Sequence, residues 1–226
     1  SPVDARQLRL DARRTWRYFE RFVTADDQML PPDNFQEDPK PVIAHRTSPT
    51  NLGLYLLSIV SAREFGWLGT QDAVLRLEAT LGTMERLARY RGHFYNWYDT
   101  RDLQPLEPRY VSSVDSGNLA GHLIALGNAC RAWGNQVHGA GRVAICAGIG
   151  DTLALLREAL GRGVEARGIL RDEFEQVANE LSLALVLAGG SEGGEASKAA
   201  PRATPAWSEI LMLVAAVADV ARALTD

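Results

Sequence analysis

Apolar residues return at steps of three and four along nearly the whole chain, and this period limits the fold more than any other feature. Over 71–90 the repeating positions are Val74, Leu77, Leu81, Met84 and Ala88. Over 170–187 they are Leu170, Phe174, Val177, Leu181 and Leu185, and near the end Trp207, Ile210, Val214, Val217, Ala221 and Leu224. Each set lays one apolar stripe along one face of a helix. Ser48-Pro49 and Thr204-Pro205 read as helix starts, a hydroxyl cap before a proline whose missing N–H would be unpaired anyway. About seven helices are predicted, near 5–23, 49–65, 71–90, 116–133, 143–161, 168–188 and 205–224. No segment has the sustained two-residue alternation that a sheet needs. The predicted class is all-α.

The predicted helices differ in texture. The one at 49–65 is apolar on most sides, and 116–133 mixes Leu and Ile with Ala120, Gly121, Ala125, Gly127 and Ala129. Such helices suit an inner position, where small residues allow close approach. Those at 5–23 and 71–90 carry Arg and Glu on one face, as outer helices do. An outer, inner, outer, inner order is how an α/α toroid is laid down, although an α-solenoid or a bundle reads similarly.

The connections are uneven. Residues 24–47 and 91–114 form two long loops, whereas 65–70 is short. If successive helices are antiparallel, both long loops emerge at the same end. Long loops in a compact domain are unusual unless they bind something. Residues 189–205 are mostly Gly, Ser, Glu and Ala, the composition of a flexible loop, and leave from the opposite end.

Composition removes several functions. With 24 basic and 28 acidic residues and a net charge of −4, no field of one sign is available to hold nucleic acid. The longest apolar run, 210–218, is less than half of the roughly 20 residues that a bilayer span takes. No charged n-region followed by an apolar h-region opens the chain, so no secretory signal is expected. Cys130 and Cys146, both in apolar helical sequence, read as buried thiols rather than a disulfide. The histidines at 45, 93, 122 and 138 lack ligand spacing, so no metal is expected. Four glycines between 139 and 150 lack the strand context of a phosphate or dinucleotide loop.

The loops hold the chemistry. Five of the seventeen aromatics fall in 91–114 (Phe94, Tyr95, Trp97, Tyr98 and Tyr110), alternating with His93, Asn96, Asp99, Arg101 and Asp102. Aromatic faces stack on the C–H faces of sugar rings while amides and carboxylates take the hydroxyls, so the mixture suits a sugar site. A well-packed loop with core aromatics is the structural alternative. At 111–121, Ser113, Asp115 or Ser116 can cap the helix that follows, or Asp115 and Asn118 can stand at the mouth of that site. In the first loop, Asp33, Glu37 and Asp38 lie among prolines ahead of His45, Arg46 and Thr47. They form either a carboxylate pair for acid–base work on a glycosidic bond or a solvated, proline-stiffened loop.

Four stretches carry a family resemblance: Leu30-Pro-Pro-Asp-Asn-Phe-Gln-Glu-Asp-Pro39, Ala44-His-Arg-Thr-Ser-Pro-Thr-Asn51, Gly92-His-Phe-Tyr-Asn-Trp-Tyr-Asp-Thr100 and Leu106-Glu-Pro-Arg-Tyr-Val-Ser-Ser-Val-Asp-Ser-Gly-Asn-Leu-Ala-Gly-His122. In this order they resemble the cyclic β-1,2-glucan synthases of Gram-negative bacteria, very large inner-membrane enzymes. The likeness covers about 24–130 and falls at the start of their central glycoamylase-like region. It implies that 1–226 is part of an (α/α)6 domain, about half of a toroid of twelve helices, that closes a linear β-1,2-glucan into a ring. It places the catalytic glutamates beyond Asp226, since neither of their sequence contexts occurs here. It also places UDP-glucose, the donor, in a separate region of the parent.

Carried over by position, Asp33, Asn34, His45, Arg46, Thr47, Tyr95, Asn96, Trp97, Tyr98, Asp99, Asp115, Ser116 and Asn118 would line the sugar cleft. Trp97 is the expected stacking platform and Asp99 a hydroxyl ligand. Arg46 is expected to pair with Asp99 or Asp115. The implied partners are a β-1,2-glucan chain and the other synthase domains, with no nucleic acid. The implied setting is the cytoplasmic side of the inner membrane, without direct insertion. Half a toroid would leave the helices at 49–65 and 116–133 with an exposed apolar edge prone to self-association. A hydrolase of the same fold and a non-catalytic scaffold remain the alternatives.

Overall fold

A computed structural model describes residues 2–135 and 142–163. Five helices dominate: α1 (Pro2–Phe22), α2 (Pro49–Glu64), α3 (Thr70–Arg86), α4 (Ser113–Gly134) and α5 (Arg142–Gly163). They match the first five predicted helices. The helices expected at 168–188 and 205–224, and the flexible loop at 189–205, lie outside the described residues. The protein is mostly helical, but its described residues also form three small antiparallel ribbons in the loops, which the sequence did not announce. These pair β1 (Phe35–Gln36) with β2 (Val42–Ile43), β3 (Arg46–Thr47) with β6 (Tyr98–Asp99), and β4 (Arg89–Tyr90) with β5 (His93–Phe94). At two residues per strand, they are too short to show an alternation.

The third helix ends earlier than its apolar period. Leu87 and Ala88 still fit the helical steps, yet Leu87 has extended backbone (φ −64°, ψ 132°), and Arg89–Tyr90 become β4. The fourth begins at Ser113 rather than near 116. Its cap is Ser112, extended at φ −92° and ψ 122°, whose hydroxyl accepts the Asp115 N–H at 3.1 Å and donates to the Asp115 carboxylate at 2.5 Å. Of the three expected caps, Asp115 takes part only as this partner.

The chain divides into two compact units. One comprises Asp11–Glu64 and Leu68–Val137. Its core is α2, whose Leu52, Tyr55, Leu56, Ile59 and Ala62 are fully buried. Trp16 of α1 stacks on Tyr55 (6.5 Å between centroids, 8° between planes), and Phe19 leans on the same ring at 5.1 Å. From α3, Ala73, Leu77 and Met84 face inward. Between α2 and α4 the approach is close, because a Cβ at Gly53 would collide with the His122 imidazole. Beyond its buried Leu119 and Leu126, α4 leaves Val114 70% and Ile124 69% exposed, and α2 leaves Leu54 50% exposed. Cys146 is buried as expected, but Cys130 of α4 is exposed.

The described parts of the other unit are the start of α1, residues 65–67 and α5. Arg9 ties them together: its Nε donates to Asp151 at 2.6 Å and its Nη2 to the Phe65 carbonyl at 2.6 Å. The indole of Trp67 donates to the same carboxylate at 2.8 Å and stacks on Phe65 at 4.6 Å. Gly66, at φ +79°, presses against the backbone of α5 at Ala144, and Gly148 presses against Gly66. One glycine of the 139–150 group therefore has a packing role that the sequence left unassigned.

Gly53→Ala is expected to destabilise the protein by about 1–3 kcal/mol, because the added methyl meets the buried edge of an imidazole. Denaturant melts measure this, and His122→Ala should recover part of the loss by vacating the space.

Candidate functional site

The site is assembled from both long loops, all within the unit built on α2. The first loop starts as a tight turn in which Gln28 (φ 53°) and Met29 (φ 59°) both take left-handed backbone. That conformation is unfavourable for side-chain-bearing residues. It is held from α3, where Thr83 donates to the Gln28 carbonyl at 2.8 Å and Thr80 to that of Met29 at 2.9 Å. The turn aims Asp27 inward. This buried carboxylate accepts a hydrogen bond from Thr100 and lies 2.7 Å from Nδ1 of His45. One acidic side chain thus holds three segments of the two loops. The Thr100 N–H reinforces it, donating to the His45 carbonyl at 3.1 Å.

Directly beside this clamp, β3 pairs with β6, Arg46 opposite Asp99 and Thr47 opposite Tyr98. Neighbouring residues of a strand point to opposite faces, so the ribbon has one outward and one inward pair. Thr47 and Tyr98 are fully buried. They form the floor beneath the site rather than its lining. The Tyr98 hydroxyl donates to the Ala88 carbonyl and accepts from the Tyr95 N–H, both at 2.7 Å. Burial pushes its pKa up to about 12.

The outward residues carry the polar surface. Arg46 pairs with Asp33 (Nη2 at 2.9 Å, Nε at 3.1 Å) rather than with Asp99 or Asp115. Its guanidinium lies 4.7 Å from the Trp97 ring, covering one face of the expected platform. The other oxygen of Asp33 accepts from Asn51 at 3.2 Å, and Asn34 also donates to this carboxylate, at 3.1 Å. Asp99 is engaged by its neighbour Arg101 through both oxygens, a contact that holds its carboxyl below the usual range.

Below Trp97, Asn96 is buried. With its amide oriented to satisfy its neighbours, its oxygen accepts from the Tyr110 hydroxyl at 2.8 Å and the Trp97 indole at 3.0 Å, and its nitrogen donates to Asp115 at 3.0 Å. Asn118 donates to Thr50 at 3.1 Å, so the start of α4 meets the start of α2. The hydroxyl of Ser116 is buried with no hydrogen-bond partner among the described residues.

Asp33, Asn34, Arg46, Trp97, Asn96 and Asp115 are therefore linked in one connected cluster, and His45 and Thr47 lie behind it. Glu37 and Asp38 stand exposed beyond β1 and do not join it. Sequence reasoning missed Asp27, Asn51, Thr100 and Ser112. Nothing in the sequence separates Asp27 from its neighbour Asp26, because the distinction arises from the left-handed turn that follows. Among the described residues, no three potential ligands stand close enough to hold a metal. No described helix is long and apolar enough to cross a membrane.

Comparison with known proteins adds a family to this geometry. Residues 10–126, just over half of the chain, match the family described as "Protein of unknown function (DUF3131)". The chain belongs to this family. Over 167 residues it is 58% identical to the cyclic beta-(1,2)-glucan synthase NdvB of Rhizobium meliloti (strain 1021), an alignment covering 73% of this chain and 6% of that protein. The part shared with the DUF3131 family takes in both long loops and the whole cluster.

In this DUF3131 chain, Asp27→Ala removes the carboxylate that His45 and Thr100 share, leaving the buried Thr100 hydroxyl and the half-buried His45 without it. The expected loss is about 2–4 kcal/mol of unfolding free energy in denaturant melts. At the other end of the pH scale, the folded pKa of Tyr98 lies above its unfolded value of about 10. Its share of stability is then fully present below pH 10 and lost as pH rises through about 12. A phenolate absorbance titration should show a late phase that shrinks in Tyr98→Phe, with Tyr18, also raised to about 12, and Tyr55, likewise pushed up by burial, contributing the rest.

Proposed function

We propose that this chain is a segment of a cyclic β-1,2-glucan synthase and that its two-loop cluster binds the glucan during transglycosylation. The observation that carries the proposal is the convergence of Asp33, Arg46, Asn96, Trp97 and Asp115 from loops some fifty residues apart, in a chain 58% identical over 167 residues to a protein of that name. In this reading Trp97 offers an aromatic surface to a glucose ring. The Arg46–Asp33 pair, reaching over that ring, supplies a fork of N–H donors and carboxylate acceptors to adjacent hydroxyls. Asn96 and Asp115 fix the indole from below.

Cleavage and re-formation of the β-1,2 bond fall to two carboxylates elsewhere in the parent, and a separate region would use UDP-glucose. The helices here would form one wall of an (α/α)6 toroid, borne on the cytoplasmic side of the inner membrane by the parent's other segments. The exposed Val114 and Ile124 would then be covered by other parts of the synthase. In this chain alone they would favour self-association. Light scattering should show growth in mass with concentration that Ile124→Glu suppresses. A monodisperse monomer at high concentration would contradict that arrangement.

The functional test uses the full synthase with linear β-1,2-glucans, following chain lengths and cyclisation by mass spectrometry. Trp97→Ala and Asp33→Asn are each expected to lower ring formation by about tenfold to a hundredfold through lost positioning. Glucan shortening without rings would indicate a hydrolase. Unchanged products from both folded variants would leave these loops with a scaffolding role.

A further inference from the structure

A second surface on the same loop has the features of a sugar-binding groove. Along the last two turns of α1, Arg14, Arg17, Tyr18 and Arg21 follow at steps of three and four, so they share one side of the helix. The β1–β2 ribbon folds beside that side. Phe35 of β1 packs on Phe22 at 4.7 Å, and the Tyr18 hydroxyl donates to the Pro32 carbonyl at 2.8 Å. Between helix and ribbon lies an open groove of about 570 Å³, with Tyr18, Phe22 and Phe35 as its aromatic walls and Arg17, Arg21 and Glu37 on its rims.

The charges around it suit a neutral, hydroxyl-rich ligand. Arg14 is paired with Asp11, and Glu20 with Arg13. The Arg21 guanidinium lies over Phe22 and Phe35, at 5.1 and 5.5 Å from their centroids. Arg17 and Glu37 have no ion-pair partner among the described residues. The rim thus offers the N–H donors of Arg17 and Arg21 and the Glu37 acceptor beside aromatic rings, an excess of one positive charge only, and this mix of donors and acceptor suits hydroxyl groups. Position supports the same ligand as the two-loop cluster. Phe35 is two residues beyond Asp33, a backbone separation of at most about 7 Å. That is within the span of a short oligosaccharide.

We propose that this α1–β1 groove is a second binding stretch for the uncharged glucan chain, engaged only by oligosaccharides long enough to extend past the Asp33–Arg46–Trp97 cluster. The proposal rests on the glucan-binding reading above, and the test separates the two. Linear β-1,2-gluco-oligosaccharides, from the disaccharide upward, are titrated calorimetrically into the full chain.

Phe35→Ala and Arg17→Ala should weaken binding of the longer oligosaccharides by about fivefold to tenfold and leave the disaccharide unchanged. Trp97→Ala should weaken both. Arg17 is exposed and makes no ion pair among the described residues, so its variant tests the groove even if Phe35→Ala fails to fold. If the long oligosaccharides bind Arg17→Ala and a folded Phe35→Ala as tightly as the parent chain, the groove proposal is wrong while the two-loop reading stands. If the unaltered chain binds no oligosaccharide of any length, both fall. Competition by inorganic phosphate that Arg17→Ala relieves would overturn the assignment to a neutral ligand.

Discussion

The arrangement of the candidate site depends on one buried carboxylate. Asp27 has little access to water, and one of its oxygens is shared by His45 from the first loop and Thr100 from the second. Leaving it unpaired would be costly, so the three segments are held to one geometry. From that fixed point the β3–β6 ribbon takes its register, and the register decides which side chains face out. A shift of one residue would bury Arg46 and Asp99 and expose Thr47 and Tyr98. The pattern of outward side chains is therefore set from beneath the surface.

The helices supply the platform. Because α2 is apolar on most sides, it can be packed against by α1 and α3 and still accept α4 at the short distance that Gly53 allows. From α3, Thr80 and Thr83 reach the backbone of the 24–30 turn and satisfy carbonyls in a strained stretch. Both loops rest on helices, the first tied to α1 and α3 through Tyr18, Thr80 and Thr83 and the second to α4 through Asn96 and Asp115.

Much of this was legible in the sequence. A period of 3.6 located α1 to α5, and counting helix directions put both long loops at one end, where the β3–β6 ribbon indeed joins them. The excess of aromatics at 91–114 marked that loop, with Trp97 and Tyr110 among its aromatics and Asn96 among the polar residues between them. Side-chain pairing was not legible. Arg46 was expected to meet Asp99 or Asp115, but Asp99 is held by Arg101 two residues along, and the fold of the first loop brings Asp33 closer. Tyr98 reads like any other loop aromatic until strand alternation turns it inward. Two-residue strands and a left-handed turn at Gln28 and Met29 leave no pattern in composition, so the ribbons and the role of Asp27 could come only from three-dimensional geometry.

In the proposed function, Trp97, framed by Arg46 and Asn96, is the surface at which a β-1,2-glucan would meet this chain. The most direct measurement is the indole N–H resonance of Trp97 during titration with a linear β-1,2-glucan, using the buried Trp16 indole as an internal control. A saturable shift at Trp97, with Trp16 unmoved, is the expected result. An unmoved Trp97 signal in a folded protein, at glucan concentrations that saturate the full synthase, would contradict it.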